Sequence, residues 1–273
     1  MTVKISDDFD LEKITYSGQC FRPRRLSNGR YLFVTGDKYL IIGEQEQGIY
    51  EISCSEDDWI NVWTKYFDLE TNYSDIRKMV HSDDCFMIES AVESTGIRIL
   101  RQNKWEMVIS YIISQRKSIP AIRSSVEKIC SRYGHVIAEI EGEPLFSFPS
   151  AEEMRCATEE ELAACGLGYR VSYILDAIHM VLSGQLQLDD MDCLEDDILF
   201  EELKKVRGIG DKVANCVLLF AYHRTGRAPV DTWILKVMNE RYDGNNPFIA
   251  YGDVAGVMQQ YVFYYVQNRK GLS

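Results

Sequence analysis

The stretch Leu203–Asp231 reads LKKVRGIGDKVANCVLLFAYHRTGRAPVD. Within it, Gly208-Ile209-Gly210 separates two segments whose apolar residues recur at helical spacing, which predicts a helix, a tight glycine turn and a second helix. Lys212 follows at the start of the second segment, and Asp231 comes nineteen residues after it. The chain is therefore expected to carry a helical hairpin with a lysine and a carboxylate beyond its turn.

The glycine turn predicts a phosphate-binding site. Glycine adopts positive φ readily and lets another backbone approach closely. Amides at the N-terminus of the second helix carry partial positive charge, which suits a phosphate oxygen. A turn with Gly208 and Gly210 is also a common connector without a ligand, but the apolar residues on both sides favour the phosphate interpretation. Such contacts hold a nucleic acid without reading its sequence.

Lys212 and Asp231 each have two interpretations. A lysine one turn into a helix is usually solvated or a phosphate contact, whereas a nucleophilic lysine must be held neutral by burial or by a neighbouring cation. Asp231 precedes a segment that starts like a helix, so it is a candidate N-cap. Its carboxylate could equally stabilise positive charge on a sugar, and the two roles are compatible if each oxygen serves one.

Composition bounds the class of protein. The chain has 273 residues, 46% of them apolar, which suits a globular protein of two or three lobes. No apolar run approaches the ~20 residues of a membrane span, and the first residues show no signal peptide. The eight cysteines include no CxxC pair and the four histidines show no metal spacing, so reduced thiols and no metal or other cofactor are expected.

Net charge is −12, which by itself argues against a nucleic-acid partner. The charge is segregated, however. Residues 98–132 hold eight basic and two acidic side chains, residues 203–241 hold eight and three, and residues 189–202 hold eight acidic and none basic. A local basic face can bind phosphates whatever the total. Charge runs are also ordinary on solvated helices, so the motifs must decide.

The pattern predicts an α+β protein with a small N-terminal antiparallel sheet domain and an all-helical body. Strands are expected at Tyr31–Thr35, Tyr39–Ile42 and Ile49–Ser53, with Asn28-Gly29 as a hairpin signal. The predicted domains are residues 1–95 and 96–273, the body having two lobes and the hairpin at 200–222. Helices are predicted at 57–67, 105–113, 120–134, 151–164, 169–183, 195–205 and 250–268, and residues 139–149 are predicted to form a loop.

Three further motifs accompany the hairpin: Ser17-Gly-Gln-Cys-Phe-Arg22, Tyr66-Phe-Asp-Leu69 and Leu167-Gly-Tyr-Arg170. Together, over nearly the whole chain, they resemble the 8-oxoguanine DNA glycosylase/AP lyase family of the helix-hairpin-helix Gly/Pro-Asp superfamily. The iron–sulfur cysteines of a related branch are absent. The resemblance implies an enzyme that flips 8-oxoguanine out of duplex DNA, excises it through a Schiff base on Lys212 with help from Asp231, and cuts the strand by β-elimination.

It also implies the partner and the place of action. The partner is double-stranded DNA containing oxidised guanine, with no membrane, and a monomer is expected. The chain would act in the nucleoid-associated cytoplasm of a prokaryote or in the nucleus of a eukaryote.

The resemblance assigns the base pocket residue by residue. Gly18 matches a glycine whose carbonyl accepts the N7 hydrogen found only on 8-oxoguanine. Phe263 and Cys216 match residues that sandwich the flipped base. Gln259 matches the reader of its Watson–Crick edge, with Gln260 as the alternative in register. Without the resemblance, these residues would be interpreted as a turn glycine and core side chains.

On the DNA surface, the resemblance adds Tyr169 as an aromatic wedge in the vacated stack and Arg170 as a contact to the opposite cytosine. Other positions depart from the animal-type members of the family. Arg116-Lys117-Ser118 replaces an asparagine triplet, and Trp233 replaces a histidine. Ala121 stands where a second cytosine-reading arginine is expected. Weak discrimination of the opposite base is therefore expected, with Arg116 and Lys117 as DNA contacts.

Two alternatives remain at this point. The same chemistry could act on other oxidised or ring-opened purines. A non-catalytic DNA-binding module that uses Gly208 and Gly210 as a phosphate clamp is a different class of protein, and it predicts binding without strand cleavage.

Overall fold

A computed structural model describes residues 1–268 of the chain. The N-terminal sheet has five antiparallel strands in the order β1-β5-β4-β3-β2. They are β1 (Thr2–Lys4), β2 (Arg24–Arg25), β3 (Tyr31–Thr35), β4 (Lys38–Glu46) and β5 (Ile49–Ile52). The predicted meander is confirmed, and β1 is an addition, because a strand of three residues is too short for alternation to reveal it.

Two helical segments pack against this sheet. The first is α1 (Leu11–Tyr16). The second is a continuous stretch of α2 (Glu56–Asp58), a π-helical turn (Trp59–Trp63) and α3 (Thr64–Tyr66). Its aromatic side chains are buried in the core of the sheet domain, where Phe33 of β3 meets the following Phe67 edge to face at 4.9 Å between ring centroids.

The rest of the described chain is mainly helical, as predicted. Its helices are α4 (Tyr73–Lys78), α5 (Cys85–Glu93), α6 (Lys104–Ser114), α7 (Ile119–Tyr133), α8 (Glu159–Ala164), α9 (Val171–Leu182), α10 (Asp196–Lys204), α11 (Asp211–Phe220), α12 (Thr232–Arg241) and α13 (Ala255–Asn268). None of the helices within residues 1–268 is long and apolar enough to cross a membrane.

Two predicted helices begin later than expected. The helix predicted from residue 151 starts only at Glu159, because Thr158 and Glu161 form a capping box that sets its first turn. The helix predicted from residue 250 starts at Ala255, after a 3-10 stretch (Pro247–Val254) in which Gly252 adopts positive φ.

The prediction of a loop at 139–149 is wrong. This region forms most of a two-stranded hairpin, β6 (Val136–Ile140) and β7 (Glu143–Phe146). Ile140 and Leu145 bury their side chains against Leu26, Leu32 and Val34 of the N-terminal sheet. The strands are thus stabilised by a distant part of the chain, which local sequence does not reveal.

A buried carboxylate also joins the sheet domain to the helical body. The Asp68 carboxylate accepts hydrogen bonds from Tyr73 (2.9 Å) and Arg101 (2.8 Å) and lies 3.1 Å from His223 Nε2. Burial raises the pKa of Asp68, but the contacts with His223 and Arg101 outweigh it and hold the pKa at about 2. The site described below lies between these two parts of the molecule.

Candidate active site

The predicted helical hairpin is present, with α10 and α11 on either side of its turn. Gly208 has φ of 87°, and a Cβ there would lie 2.2 Å from the Tyr173 ring. Gly210 is the N-cap of α11 and supplies no side-chain hydrogen bond to the first-turn amides. Amides at a helix N-terminus suit a phosphate oxygen, and the phosphate contact at this turn stays a prediction.

Lys212 lies in the first turn of α11, half-buried in a cleft that it shares with Asp231. Asp231 is the N-cap of α12, where its Oδ1 accepts hydrogen bonds from the amides of Trp233 (2.9 Å) and Ile234 (2.8 Å). Both capping bonds use the same oxygen. Oδ2 is therefore free of the cap, which is the arrangement that lets a single carboxylate serve structure and chemistry.

The predicted base-recognition residues meet in one small pocket of about 40 Å³ at the inner end of this cleft. Its lining includes Gly18, Cys216, Gln259, Gln260, Phe263, Lys212 and Asp231. Gly18 has φ of 80°, and a Cβ there would lie 2.8 Å from the Phe263 ring. Burial raises the pKa of the Cys216 thiol, and this effect outweighs the lowering by the nearby charge of Lys212. The thiol is therefore protonated and forms an uncharged side of the pocket.

The two glutamines of α13 have different partners. Gln260 Nε2 donates to the carbonyl of Ser17 at 2.6 Å and so holds the loop that carries Gly18. Gln259 is only 4% exposed, and its Oε1 has no hydrogen-bond partner among residues 1–268. An unpaired buried acceptor is rare in proteins, so Gln259 is a candidate to receive hydrogen bonds from a ligand.

Two family models together match most of the chain. Residues 2–108 match the family model described as 8-oxoguanine DNA glycosylase, N-terminal domain, and residues 109–249 match that of the HhH-GPD superfamily of base excision DNA repair proteins. The chain belongs to the 8-oxoguanine DNA glycosylase family. Its members are DNA N-glycosylases with lyase activity, and the α+β fold described above is the fold of this family.

Similar proteins span nearly the whole chain. A Clostridium acetobutylicum 8-oxoguanine glycosylase/lyase, solved with double-stranded DNA containing cytosine opposite 8-oxoguanine, is 32% identical with a TM-score of 0.90, over 99% of this chain and 98% of that one. A structure of MBOgg1 with a low-affinity DNA ligand is also 32% identical, with a TM-score of 0.93 over 98% and 96%. The Saccharomyces cerevisiae N-glycosylase/DNA lyase is 29% identical over 85% of this chain and 68% of its own.

Some of the predicted DNA-contact residues line an outer cleft of about 720 Å³, which also contains Lys212. Arg116, Lys117 and Trp233 belong to its lining, whereas Tyr169 and Arg170 do not. Arg116 is exposed, with φ of 51°. Lys117 donates to Ser125 Oγ (2.5 Å) and to the carbonyl of Gly166 (2.7 Å), and burial lowers its pKa, with Arg170 adding to the effect. Tyr169 is 52% exposed, and its role as a wedge stays a prediction.

Arg170 is turned into the protein. It is 5% exposed, and its guanidinium donates to the carbonyls of Leu167 (3.1 Å) and Gln115. The Gln115 side chain in turn donates to the carbonyl of Gly208 at 3.0 Å, so Arg170 braces the loop that supports the hairpin. Its contact with a cytosine stays a prediction, and these bonds would have to be exchanged for it.

Sequence reasoning missed Tyr111 of α6 and Phe220 of α11, which line the same base pocket. Tyr111 lies on the buried side of α6 among apolar residues, and its ring stacks on Phe220. In the sequence both residues are indistinguishable from core aromatics, because helical periodicity marks burial and says nothing about a pocket. Within residues 1–268, no group of three or more Cys, His, Asp or Glu side chains is placed to hold a metal ion.

Proposed function

We propose that this glycosylase excises 8-oxoguanine from duplex DNA and cuts the strand at the resulting abasic site through a Schiff base on Lys212. The observation that carries the proposal is the unpaired Oε1 of Gln259, buried in a pocket shared with Lys212. Leaving such an acceptor unpaired costs about 1–3 kcal/mol. The N1–H and amino group on the Watson–Crick edge of a guanine supply the missing donors.

Lesion selection rests on Gly18. Its carbonyl would accept the N7 hydrogen that 8-oxoguanine carries and guanine lacks. With guanine in the pocket, this carbonyl would have no donor and would face the N7 lone pair. The resulting difference in binding free energy between 8-oxoguanine and guanine is about 1–3 kcal/mol, which is roughly a tenfold to hundredfold preference for the lesion. The pocket is small, with Phe263 against Gly18, so the Phe263 ring must move aside when a base enters.

Lys212 would supply the nucleophile once the nucleotide is flipped out. Its neutral amine attacks C1′, the bond from C1′ to N9 breaks, and the base leaves with that electron pair and takes up a proton. The sugar ring opens to give an imine between Nζ and C1′. Loss of a C2′ proton then expels the 3′ phosphate and cuts the strand. Oδ2 of Asp231 would stabilise positive charge on the sugar during the first step.

Borohydride reduction of the imine tests this proposal. Wild-type protein should give a covalent complex with an 8-oxoguanine duplex, and Lys212→Gln should give none. Lys78→Gln removes a lysine of α4 that is exposed and paired with Asp75, and it serves as the matched control. Undiminished trapping by Lys212→Gln, or an equal rate on an unmodified guanine duplex, would refute the assignment.

Selectivity for the base opposite the lesion should be modest. Arg170 is already bonded to Gln115 and Leu167, Arg116-Lys117-Ser118 replaces the asparagine triplet, and Ala121 offers no donor. Single-turnover excision opposite each of the four bases measures this selectivity. Strong preference for cytosine would mean that Arg170 leaves its carbonyl partners when DNA binds.

A further inference from the structure

The Tyr111 ring lies directly beneath the reactive lysine. Lys212 Nζ is 5.3 Å from the centroid of this ring, and both residues line the outer cleft and the base pocket. A cation over an aromatic face at this distance is attracted by the negative face of the ring.

Neighbouring aromatics hold this ring in place. Tyr111 is 3% exposed and stacks on Phe220 at 5.7 Å with an interplanar angle of 12°. Phe21 meets it edge to face at 5.6 Å and 74°. These two contacts and its burial fix the ring, whereas the lysine stem has four flexible carbons. The face of the ring is therefore the fixed partner and the ammonium the mobile one.

Tyr111 acts through its ring face and not through its hydroxyl. Burial raises the pKa of the Tyr111 hydroxyl well above its ordinary value, with smaller contributions from the thiols of Cys216 and Cys20. The hydroxyl therefore stays protonated and cannot take a proton from the lysine at neutral pH. A neutral aromatic face attracts an ammonium and offers little to a neutral amine, so the contact with Lys212 is made by the face of the ring.

We propose that Tyr111 is a positioning residue for Lys212: its ring holds the ammonium at the floor of the cleft before a base enters. This inference rests on the proposed function of Lys212. The ring keeps Nζ at one place beside the base pocket. Holding a nucleophile near its target saves the entropy of orienting it.

Other charged and titratable groups face the same space and must stay unchanged in any test. Cys216 lies one turn along α11, Asp231 lies at the start of α12, and Arg116, Lys117 and Asp211 lie at the mouth of the cleft. Variants confined to position 111 leave all of them in place.

The test is the rate of borohydride trapping on a duplex that already contains an abasic site, measured at one pH and at saturating duplex. Tyr111→Leu should lower this rate roughly tenfold to a hundredfold, because the amine is no longer positioned. Tyr111→Phe keeps the ring and should keep the wild-type rate.

Tyr222→Leu is the matched control, since it removes a buried ring that lies the same 5.3 Å from Lys104 Nζ outside the cleft. It should leave the trapping rate unchanged. Ring-fluorinated phenylalanines at position 111 keep the shape of the side chain and weaken the negative face of the ring stepwise. They should lower the trapping rate stepwise with the number of fluorines, which a residue that only packs would not do.

The outcomes separate this inference from the proposed function. A wild-type trapping rate for Tyr111→Leu, or a fluorinated series with one common rate, would show that the face of the Tyr111 ring does not position Lys212 and would overturn the inference. Failure of the wild-type protein to be trapped on an abasic duplex would instead overturn the role proposed for Lys212.

Discussion

Replacing Asp231 by asparagine and by alanine should separate its structural role from its chemical one. Asparagine caps helices as well as aspartate does, so Asp231→Asn should keep both bonds to the amides of Trp233 and Ile234. It loses only the favourable interaction of a charge with the helix N-terminus, about 0.3–1 kcal/mol. Asp231→Ala loses the capping bonds as well, a further ~0.5–2 kcal/mol.

The chemical loss should be the same in both variants, because neither carries a carboxylate. A charge about 4 Å from a developing cation contributes roughly 4 kcal/mol at an effective dielectric constant of about 20. Excision should therefore slow on the order of a hundredfold to a thousandfold. For a chain of this size, each kcal/mol of stability corresponds to about 2–4 °C in the melting temperature.

Thermal unfolding followed by circular dichroism and single-turnover excision of 8-oxoguanine measure the two effects independently. Asp231→Asn should melt within a few degrees of wild type and excise as slowly as Asp231→Ala. If Asp231→Asn excises at nearly the wild-type rate, the carboxylate is only a cap. If both variants melt at the same temperature, the two hydrogen bonds to the amides of Trp233 and Ile234 contribute nothing to stability, and the capping role of Asp231 is wrong.

Three further changes test other parts of the molecule. Gln259→Leu removes an unpaired buried acceptor, so its melting temperature should not fall, while excision of 8-oxoguanine is lost and cleavage of a preformed abasic site persists. Gly208→Ala places a Cβ on a residue with φ of 87°, 2.2 Å from the Tyr173 ring. Fluorescence anisotropy should show weaker binding of undamaged duplex, and urea unfolding should show that the free energy of unfolding falls by about 2–4 kcal/mol. The folded pKa of Asp68, about 2, lies below its ordinary value of 3.8, so the stability from its contact with His223 is present above pH 3.8 and lost as pH falls towards 2. Acid unfolding of Asp68→Asn should lack that step, and an unchanged acid transition would show that other carboxylates control it.

The parts of the fold that sequence predicted have strong local signals. The strands from Tyr31 to Ile52 alternate or carry turn residues between them, and the hairpin has two glycines between amphipathic segments. The start of α8 was also marked locally, because Thr158 and Glu161 have the spacing of a capping box. Extending that helix back to residue 151 overlooked this signal.

The strands β6 and β7 were not predictable in the same way. Their sequence carries Glu139, Glu143 and Pro144, which are poor strand formers. They pair because Ile140 and Leu145 complete a small core with the N-terminal sheet. Tertiary contacts of this kind override local propensity, and a single sequence does not show which distant residues will meet.

The candidate site was likewise only partly predictable from sequence, and the two glutamines of α13 show why. Gln259 and Gln260 are the same residue type, so no composition or propensity argument distinguishes them. Neighbours on a helix point about 100° apart, and only the packed structure shows that Gln260 turns to the carbonyl of Ser17 while Gln259 Oε1 stays unpaired. One glutamine holds the loop that carries Gly18, and the other faces the place where a base would lie. A one-residue change in the register of α13 would therefore disturb both the reader of the base and the support of the carbonyl that recognises the lesion.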